Sequence, residues 1–489
     1  MNDKAQQSTP QHDPRWLWPS LLLVAVGFVT FFSYTTSPLY PGIGDSPDSA
    51  MFQIIGRYWS QGDIPYQSLW DLKGPYIFLV NALGYAMTGT RTGVFLIQVV
   101  FLTLTLFFTY ITLRLALRPR GALLWCIASL LPLSYIYEGG NLTEEYLLPF
   151  LSLSFYLILR WLVRFERTAE VNHPSIDAAV EGVTFALCLF SRLTNALSLC
   201  AAIVVILVVM VKKRQFAFFL KYLMSFFLGF LLITIPFVSF FSFHGALSDM
   251  LKATLVFPFQ YAVNATQDIF DAGVHHFVLS YFCAIVLLVI AVTRILRMKT
   301  ITVRSSLYLA ASVCPLLWFC HSNGYAHYGM TVFPLYAIIV MELGQRDFKP
   351  VLAIFVAATI IGCGSKVLYM CKMLHWNNPD VAQCGLFLSQ APRVDYSSFV
   401  AYNVDPNIYL YLDARPAVPF FCLQDFVVSR IPSLRDSLRN TFINGKVKWI
   451  LVSYAQRPMQ QMVVIDILKQ DYKVEKEDVN SKLVLFSKK

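Results

Sequence analysis

The chain has 489 residues, 56% of them hydrophobic and only 14% charged, with a mean hydropathy of +0.56. Soluble domains are about one quarter charged, so this composition excludes an ordinary soluble enzyme and indicates a polytopic membrane protein. The net charge of +10 lies largely in short basic segments between apolar runs, a pattern of topology determinants rather than of nucleic-acid binding.

The first apolar run starts near Trp16, shows no cleavable signal pattern and reads as a retained span. A helix needs about 20 apolar residues to cross a bilayer. Runs at about 17–36, 92–113, 121–137, 146–163, 178–193, 196–211, 219–241, 276–293, 306–320, 329–343 and 350–370 give eleven expected spans. Lys and Arg favour cytoplasmic loops. With a cytoplasmic amino terminus, the clusters Arg114/Arg118/Arg120, Arg160/Arg164/Arg167, Lys212/Lys213/Arg214, Arg294/Arg297/Lys299/Arg304 and Arg346/Lys349 then all fall inside. The shorter run at 76–87 would invert every later loop if it crossed. It is therefore expected as a juxtamembrane element dipping toward the bilayer.

This threading gathers the remaining ionisable residues on one outer face. The first outer loop, residues 37–91, contains GDSPDSAMFQIIGRYWSQGDIPYQSLWDLKGP, running from Gly44 to Pro75. Within it Met51, Phe52, Ile54, Ile55, Tyr58 and Trp59 put apolar groups on one face of an interfacial helix. Asp48 opens that helix, where the positive end of the helix dipole favours a negative charge. It is the candidate base, and it equally fits a helix cap beside Ser46 and Ser49. Asp45 is a second candidate, although Gly44-Asp45-Ser46-Pro47 also reads as a plain turn. Lys73, in Asp71-Leu72-Lys73-Gly74-Pro75, suits a lipid phosphate at headgroup depth, or simply snorkels to the interface.

Farther along, Glu144 and Glu145 follow Asn141-Leu142-Thr143, which is also a helix-start pattern. Two adjacent carboxylates at a lipid boundary are costly unless solvated or paired, so acceptor orientation or metal binding is the functional alternative. Arg192 in Ser191-Arg192-Leu193-Thr194-Asn195 runs against the topology bias and calls for an anionic partner, a phosphate or one of the glutamates. The segment HSNGYAHY, His321 through Tyr328, joins two spans; His327 can donate to a phosphate, or the segment is a polar turn with belt tyrosines. Tyr328 and Arg57 complete the candidate phosphate-binding set. The Asn141 and Asn264 sequons matter only in a eukaryotic secretory pathway.

From about residue 372 the composition changes. Residues 397–403 and 447–453 read as strands, 433–442 and 459–470 as helices, and 472–477 with 482–487 as a terminal strand pair. The expected organisation is a membrane domain over 1–371 and an extracytoplasmic α/β domain over 372–489. No Gly-rich loop follows a strand there, so nucleotide binding is not expected. The ten cysteines show no CxxC or zinc spacing; of them Cys371, Cys384 and Cys422 lie in the polar tail, where a disulfide between two is compatible with an extracytoplasmic location.

In order along the chain, Asp48-Ser49-Ala50-Met51-Phe52, Gly62-Asp63-Ile64-Pro65-Tyr66, Leu69-Trp70-Asp71-Leu72-Lys73-Gly74-Pro75, Asn141-Leu142-Thr143-Glu144-Glu145 and His327-Tyr328 form a familiar set. The chain resembles the GT-C membrane glycosyltransferases, especially bacterial relatives of the lipid A aminoarabinose transferase and the protein O-mannosyltransferases. The resemblance is strongest over the first 150 residues. It implies an all-α polytopic fold of about eleven transmembrane helices, with juxtamembrane helices in the first outer loop and a small soluble α/β domain. It also implies a polyprenyl-phosphate sugar donor and an inverting displacement, with Asp48 similar to the family's loop-one carboxylate. Lys73 resembles the lysine that contacts the lipid phosphate, and Glu144 or Glu145 the second-loop acid. Ser49 departs from relatives that carry a second acid there, which leaves a divalent metal open, with Asp45 as a partial substitute.

The expected function is transfer of one sugar from a polyprenyl phosphate to an envelope glycan, lipid or protein acceptor, outside the cytoplasm at a bacterial inner membrane. A flippase for isoprenoid-linked glycans, or an envelope polymerase or ligase using a pyrophosphate-linked donor, is the alternative. The absence of mid-span ionisable residues argues against ion-coupled transport.

Overall fold

A computed structural model describes residues 13, 15–42, 44–264, 274–320, 325–343, 349–391, 393–445 and 447–489. His321 to Gly324 and Arg346, both part of the sequence reading, lie outside the described residues. The chain is mainly helical and opens with α1 (Leu17–Phe32), α2 (Pro47–Trp59), α3 (Pro75–Thr88), α4 (Arg91–Leu113) and the pair α5 (Pro119–Ala128) and α6 (Leu130–Ile136). It continues through α7 (Leu148–Thr168), α8 (Ser175–Leu189), α9 (Leu197–Lys212) and α10 (Phe216–Phe243). Apolar helices over Phe282–Met298, Val303–Phe319, Leu335–Leu343 and Lys349–Met373 follow.

These are the helices of a multi-pass membrane protein, but the expected count of eleven spans is not reached. Helices lie over all eleven apolar runs, yet among the described residues six are long and apolar enough to cross, or seven if one bent pair counts as a span. The reasons are local. The helix Leu17–Phe32 has 16 residues, Val303–Phe319 has 17 and Ser175–Leu189 has 15. The run at 329–343 is broken at Pro334, which lacks an N–H and separates Ala326–Val332 from Leu335–Leu343 with a bend of 63°. The run at 276–293 is divided between Val274–Ser280 and Phe282–Met298.

The segments that shape the candidate site are short and locally encoded. Ser46 caps α2 by accepting from the Ser49 N–H, Pro47 occupies the first turn, and Asp48 sits beside it near the helix's positive end. The 76–87 run forms α3, which starts at Pro75, packs on α2 and α4, and ends at Gly89 with φ of 72°. Just before it, Gly74 donates its N–H to the Ser191 carbonyl at 3.0 Å and Tyr76 donates to the Phe190 carbonyl at 3.0 Å. A Cβ on Gly74 would lie 2.1 Å from the Phe190 oxygen. Only glycine lets the Lys73 turn seat against the turn between α8 and α9.

A buried polar network fixes the other side. Glu145 accepts from Gln98 Nε2 at 3.0 and 3.1 Å, from the Asn141 N–H at 2.7 Å, and from the Tyr137 hydroxyl. Asn141 Nδ2 donates to Ser49 Oγ at 2.9 Å and to Asn81 Oδ1 at 3.0 Å, joining α2 and α3 to this loop. The Asn141 sequon is thus sealed inside the protein. Residues 138–141 all adopt positive φ, at 43°, 86°, 75° and 57°, and Gly139 and Gly140 make the middle of that turn accessible.

The carboxy-terminal part carries β1 (Phe399–Tyr402), β2 (Trp449–Ser453), β3 (Tyr472–Asp478) and β4 (Leu483–Lys488) in the order β1-β2-β4-β3. The first pair is parallel and the other two pairs are antiparallel. Val400, Ile450, Val452, Leu438, Phe442 and Phe486 fill one core. This part docks on the 57–71 segment. Trp70 donates its N–H to the Pro419 carbonyl at 3.0 Å and packs on Phe420 at 5.2 Å between ring centroids. Ion pairs join Arg57 to Asp413 at 2.6 Å and Arg415 to Asp63 at 2.8 Å. Cys371, Cys384 and Cys422 are unbridged, Cys371 exposed and the other two buried, so no disulfide links the three.

Gly74→Ala is expected to lower stability by about 1–3 kcal/mol through overpacking against Phe190. Thermal unfolding in detergent reads this directly, and an unchanged melting temperature contradicts the close approach.

Candidate active site

The structure brings Asp48, Lys73 and Arg192, all partly buried, together with the buried Glu144, His327 and Tyr328. Lys73 Nζ lies 3.7 Å from Asp48 Oδ2 and 5.9 Å from the centre of the Phe52 ring. At that distance the pair is ionic without a hydrogen bond, so the ammonium donors are not committed to Asp48. Asp71 sits under the same turn. Its Oδ1 accepts the Leu72 N–H at 2.7 Å, and Oδ2 has no partner among the described residues. Burial works against the Lys73 charge, but Asp48 and Asp71 outweigh it and hold the ammonium above its ordinary value. The Asp71 carboxyl is raised, by burial first and by Asp48, with Lys73 opposing.

Arg192 is the second cation. Its Nη1 lies 3.6 Å from Glu144 Oε1, and its guanidinium stacks 3.6 Å above the Tyr328 ring. Burial lowers its affinity for a proton, and Tyr328 and Glu144 more than offset this. The Lys73 charge is near enough to feel both Tyr328 and Arg192. Glu144 Oε2 accepts from the Thr143 hydroxyl at 2.6 Å. His327 Nδ1 pairs with Glu138 Oε2 at 2.5 Å, leaving the Nε2 edge of the ring for other contacts.

Three candidates have other surroundings. The Arg57 guanidinium is taken by Asp413 of the sheet-bearing part. Asp45 has its backbone carbonyl on the Tyr34 hydroxyl at 3.2 Å, and its carboxylate neither hydrogen-bonds nor pairs with a cation among the described residues. Glu145 is spent on the Gln98, Tyr137 and Asn141 donors. Glu138 and Asp71 were not among the sequence candidates for catalysis or phosphate binding. The signal for Glu138 was the Gly-Gly turn that follows it, and for Asp71 its position two residues before Lys73. Among the described residues no group of three or more His, Cys, Asp or Glu side chains converges as a metal site.

The fold that carries this cluster is similar to that of ArnT from Cupriavidus metallidurans. The crystal structure of ArnT bound to undecaprenyl phosphate superposes with a TM-score of 0.64 at 13% identity, covering 97% of this chain and 98% of that one. Its apo form gives 0.59 at 12% identity over 96% and 97%. The archaeal oligosaccharyltransferase AglB from Archaeoglobus fulgidus, in complex with an inhibitory peptide and a dolichol phosphate, gives 0.43 at 12% identity, covering 90% and 69%. The chain therefore shares the overall fold of ArnT. Within it, the chain belongs to the family described as the competence-induced protein Ccs4 N-terminal domain, whose model matches residues 14–349. A search of curated proteins by sequence finds no match.

Burial raises the Glu138 carboxyl, but the hydrogen bond and charge of His327, with Lys366, overcome this and bring it down to about 2. A depressed carboxyl contributes stability that is complete above its ordinary value and is lost as pH falls through the depressed one. The stability gap between wild type and Glu138→Gln is expected to be level between about pH 5 and 6.5, to shrink as pH falls toward about 2, and to shrink again as pH rises through the raised value at which His327 gives up its proton. Thermal unfolding across that range tests the pairing, and a gap that widens as pH falls below about 5 contradicts it.

Proposed function

We propose that this protein is a membrane glycosyltransferase that moves a monosaccharide from a polyprenyl-phosphate donor to an envelope glycan, lipid or protein hydroxyl outside the cytoplasm. The observation that carries this reading is Lys73, half-buried 3.7 Å from Asp48 with its donors uncommitted, near a second half-buried cation, Arg192. A half-buried cation pair of this kind suits an anion delivered from the lipid phase. The likeness to a fold crystallised with undecaprenyl phosphate supports the same choice of ligand.

The reaction is an inverting single displacement. The acceptor hydroxyl oxygen attacks the anomeric carbon while Asp48 takes its proton. The bond between the anomeric carbon and the phosphate oxygen breaks, and its electron pair leaves with the polyprenyl phosphate. Lys73 and Arg192 hold the charge that develops on that phosphate, and His327 and Tyr328 supply further donors. Glu144 orients Arg192, and Glu138 orients His327. Glu145 acts at a distance by fixing the loop from which Glu138 and Glu144 project.

Purified protein in lipid, supplied with labelled undecaprenyl-phosphate sugars and envelope extract, is expected to release undecaprenyl phosphate. Asp48→Asn and Lys73→Ala should each lower the rate by about 100-fold or more while leaving the melting temperature close to wild type. Full transfer activity in both variants rules the mechanism out. Movement of intact glycolipid across the bilayer without release would instead favour a flippase.

A further inference from the structure

Buried polar atoms without a partner gather in one stretch of the chain. Among the described residues Ser191 Oγ, Arg192 Nη1, Thr194 Oγ1, both amide atoms of Asn195 and Ser198 Oγ make no hydrogen bond, nor does Glu144 Oε1 opposite Arg192. Ser191, Asn195 and Ser198 are each 2% exposed or less. A buried polar group left unpaired costs about 1–3 kcal/mol, so a run of them is a costly way to build a turn between two helices. The positions fall at spacings of three and four. Asn195 precedes Ser198 by three and Thr194 precedes it by four, which places them on one face where the 3₁₀ turn Leu193–Ala196 leads into α9.

The chemistry of the set selects its ligand. An alkyl chain would satisfy none of these atoms. A phosphate only accepts, so it matches Arg192 but leaves the acceptor Asn195 Oδ1 unanswered. The hydroxyls of a sugar both donate and accept, and the stretch offers an amide with both functions, three hydroxyls, a carboxylate oxygen and a guanidinium. Arg192 belongs to both groups. In a polyprenyl-phosphate sugar, the first sugar ring is bonded directly to the phosphate, so a subsite adjoining the phosphate-binding arginine is where that ring must lie.

We infer that the turn from Ser191 to Ser198, with Glu144, is the subsite for the donor's sugar ring, and that Asn195 reads its hydroxyl pattern. This rests on the glycosyltransferase reading and adds to it the residues that set sugar specificity. Because the side-chain atoms of Asn195 and Ser198 make no hydrogen bond among the described residues, removing them should not weaken the fold, which separates a ligand role from a structural one.

The test is binding, followed by ligand-induced thermal shift and titration. The probes are bare undecaprenyl phosphate and undecaprenyl phosphate bearing glucose, galactose, mannose or 4-amino-arabinose. Asn195→Ala and Ser198→Ala are expected to unfold at or above the wild-type temperature without ligand and to bind the bare carrier within about twofold of wild type. Both should bind the sugar-bearing carrier that wild type prefers at least about tenfold more weakly. Equal weakening toward bare and glycosylated carriers, or no weakening, overturns the subsite. So does a loss of ligand-free stability in both variants, or a wild type that binds every glycosylated carrier no better than the bare one. A wild type that binds neither kind of carrier overturns the glycosyltransferase reading itself.

Discussion

The buried carboxylate of Glu145 holds three separate pieces of chain in register. It accepts from Gln98 on α4, from Tyr137 just beyond α6, and from the backbone of Asn141 in the loop between α6 and α7. Asn141 passes the constraint on to Ser49 and Asn81 through its side-chain amide. The carboxylates of the site hang from these bonds. Asp48 is the neighbour of Ser49, and Glu138 and Glu144 flank Asn141 on the same loop. A fully satisfied buried network rigidifies what it touches, and a partly satisfied one is severely destabilising. That asymmetry explains why a carboxylate can occupy so apolar a setting.

The opposite wall is set by backbone rather than by side chains. Gly74 lets two N–H groups reach the carbonyls of Phe190 and Ser191, and that contact carries Lys73 to Arg192. The two cations tolerate burial because carboxylates face each of them, Asp48 and Asp71 for the lysine and Glu144 for the arginine. An anionic headgroup entering between them would meet donors already desolvated and oriented, so little reorganisation accompanies binding. The sheet-bearing part covers the remaining side through Trp70 and Phe420, which links the tail of the chain to the loop that carries Asp71 and Lys73.

Much of this was legible in the sequence, and the exceptions have physical causes. In a chain so poor in charge, acids and bases between apolar runs stand out, which is how Asp48, Lys73, Glu144 and Arg192 were found before any geometry was known. The strands at Phe399–Tyr402 and Trp449–Ser453 and the terminal hairpin are visible as short runs rich in β-branched and aromatic residues. Span counting was less successful, because an apolar run records burial or lipid contact but not whether a proline such as Pro334 divides it. Glu138 escaped because its role depends on four consecutive left-handed residues that swing it toward His327, a path no periodicity reveals. Arg57 stands in the candidate phosphate-binding set, but the partner that claims it, Asp413, lies 356 residues away. Tertiary pairing over such a separation leaves no local trace.

The central claim is that a lipid-borne phosphate sits between Lys73 and Arg192. Electron cryomicroscopy of the protein in lipid nanodiscs with undecaprenyl phosphate tests it most directly. The account predicts phosphate density within hydrogen-bonding reach of the Lys73 ammonium and the Arg192 guanidinium, with the isoprenoid chain leading away into the bilayer. Phosphate density seated elsewhere, with the Asp48–Lys73 and Arg192–Glu144 pairs undisturbed, would contradict it.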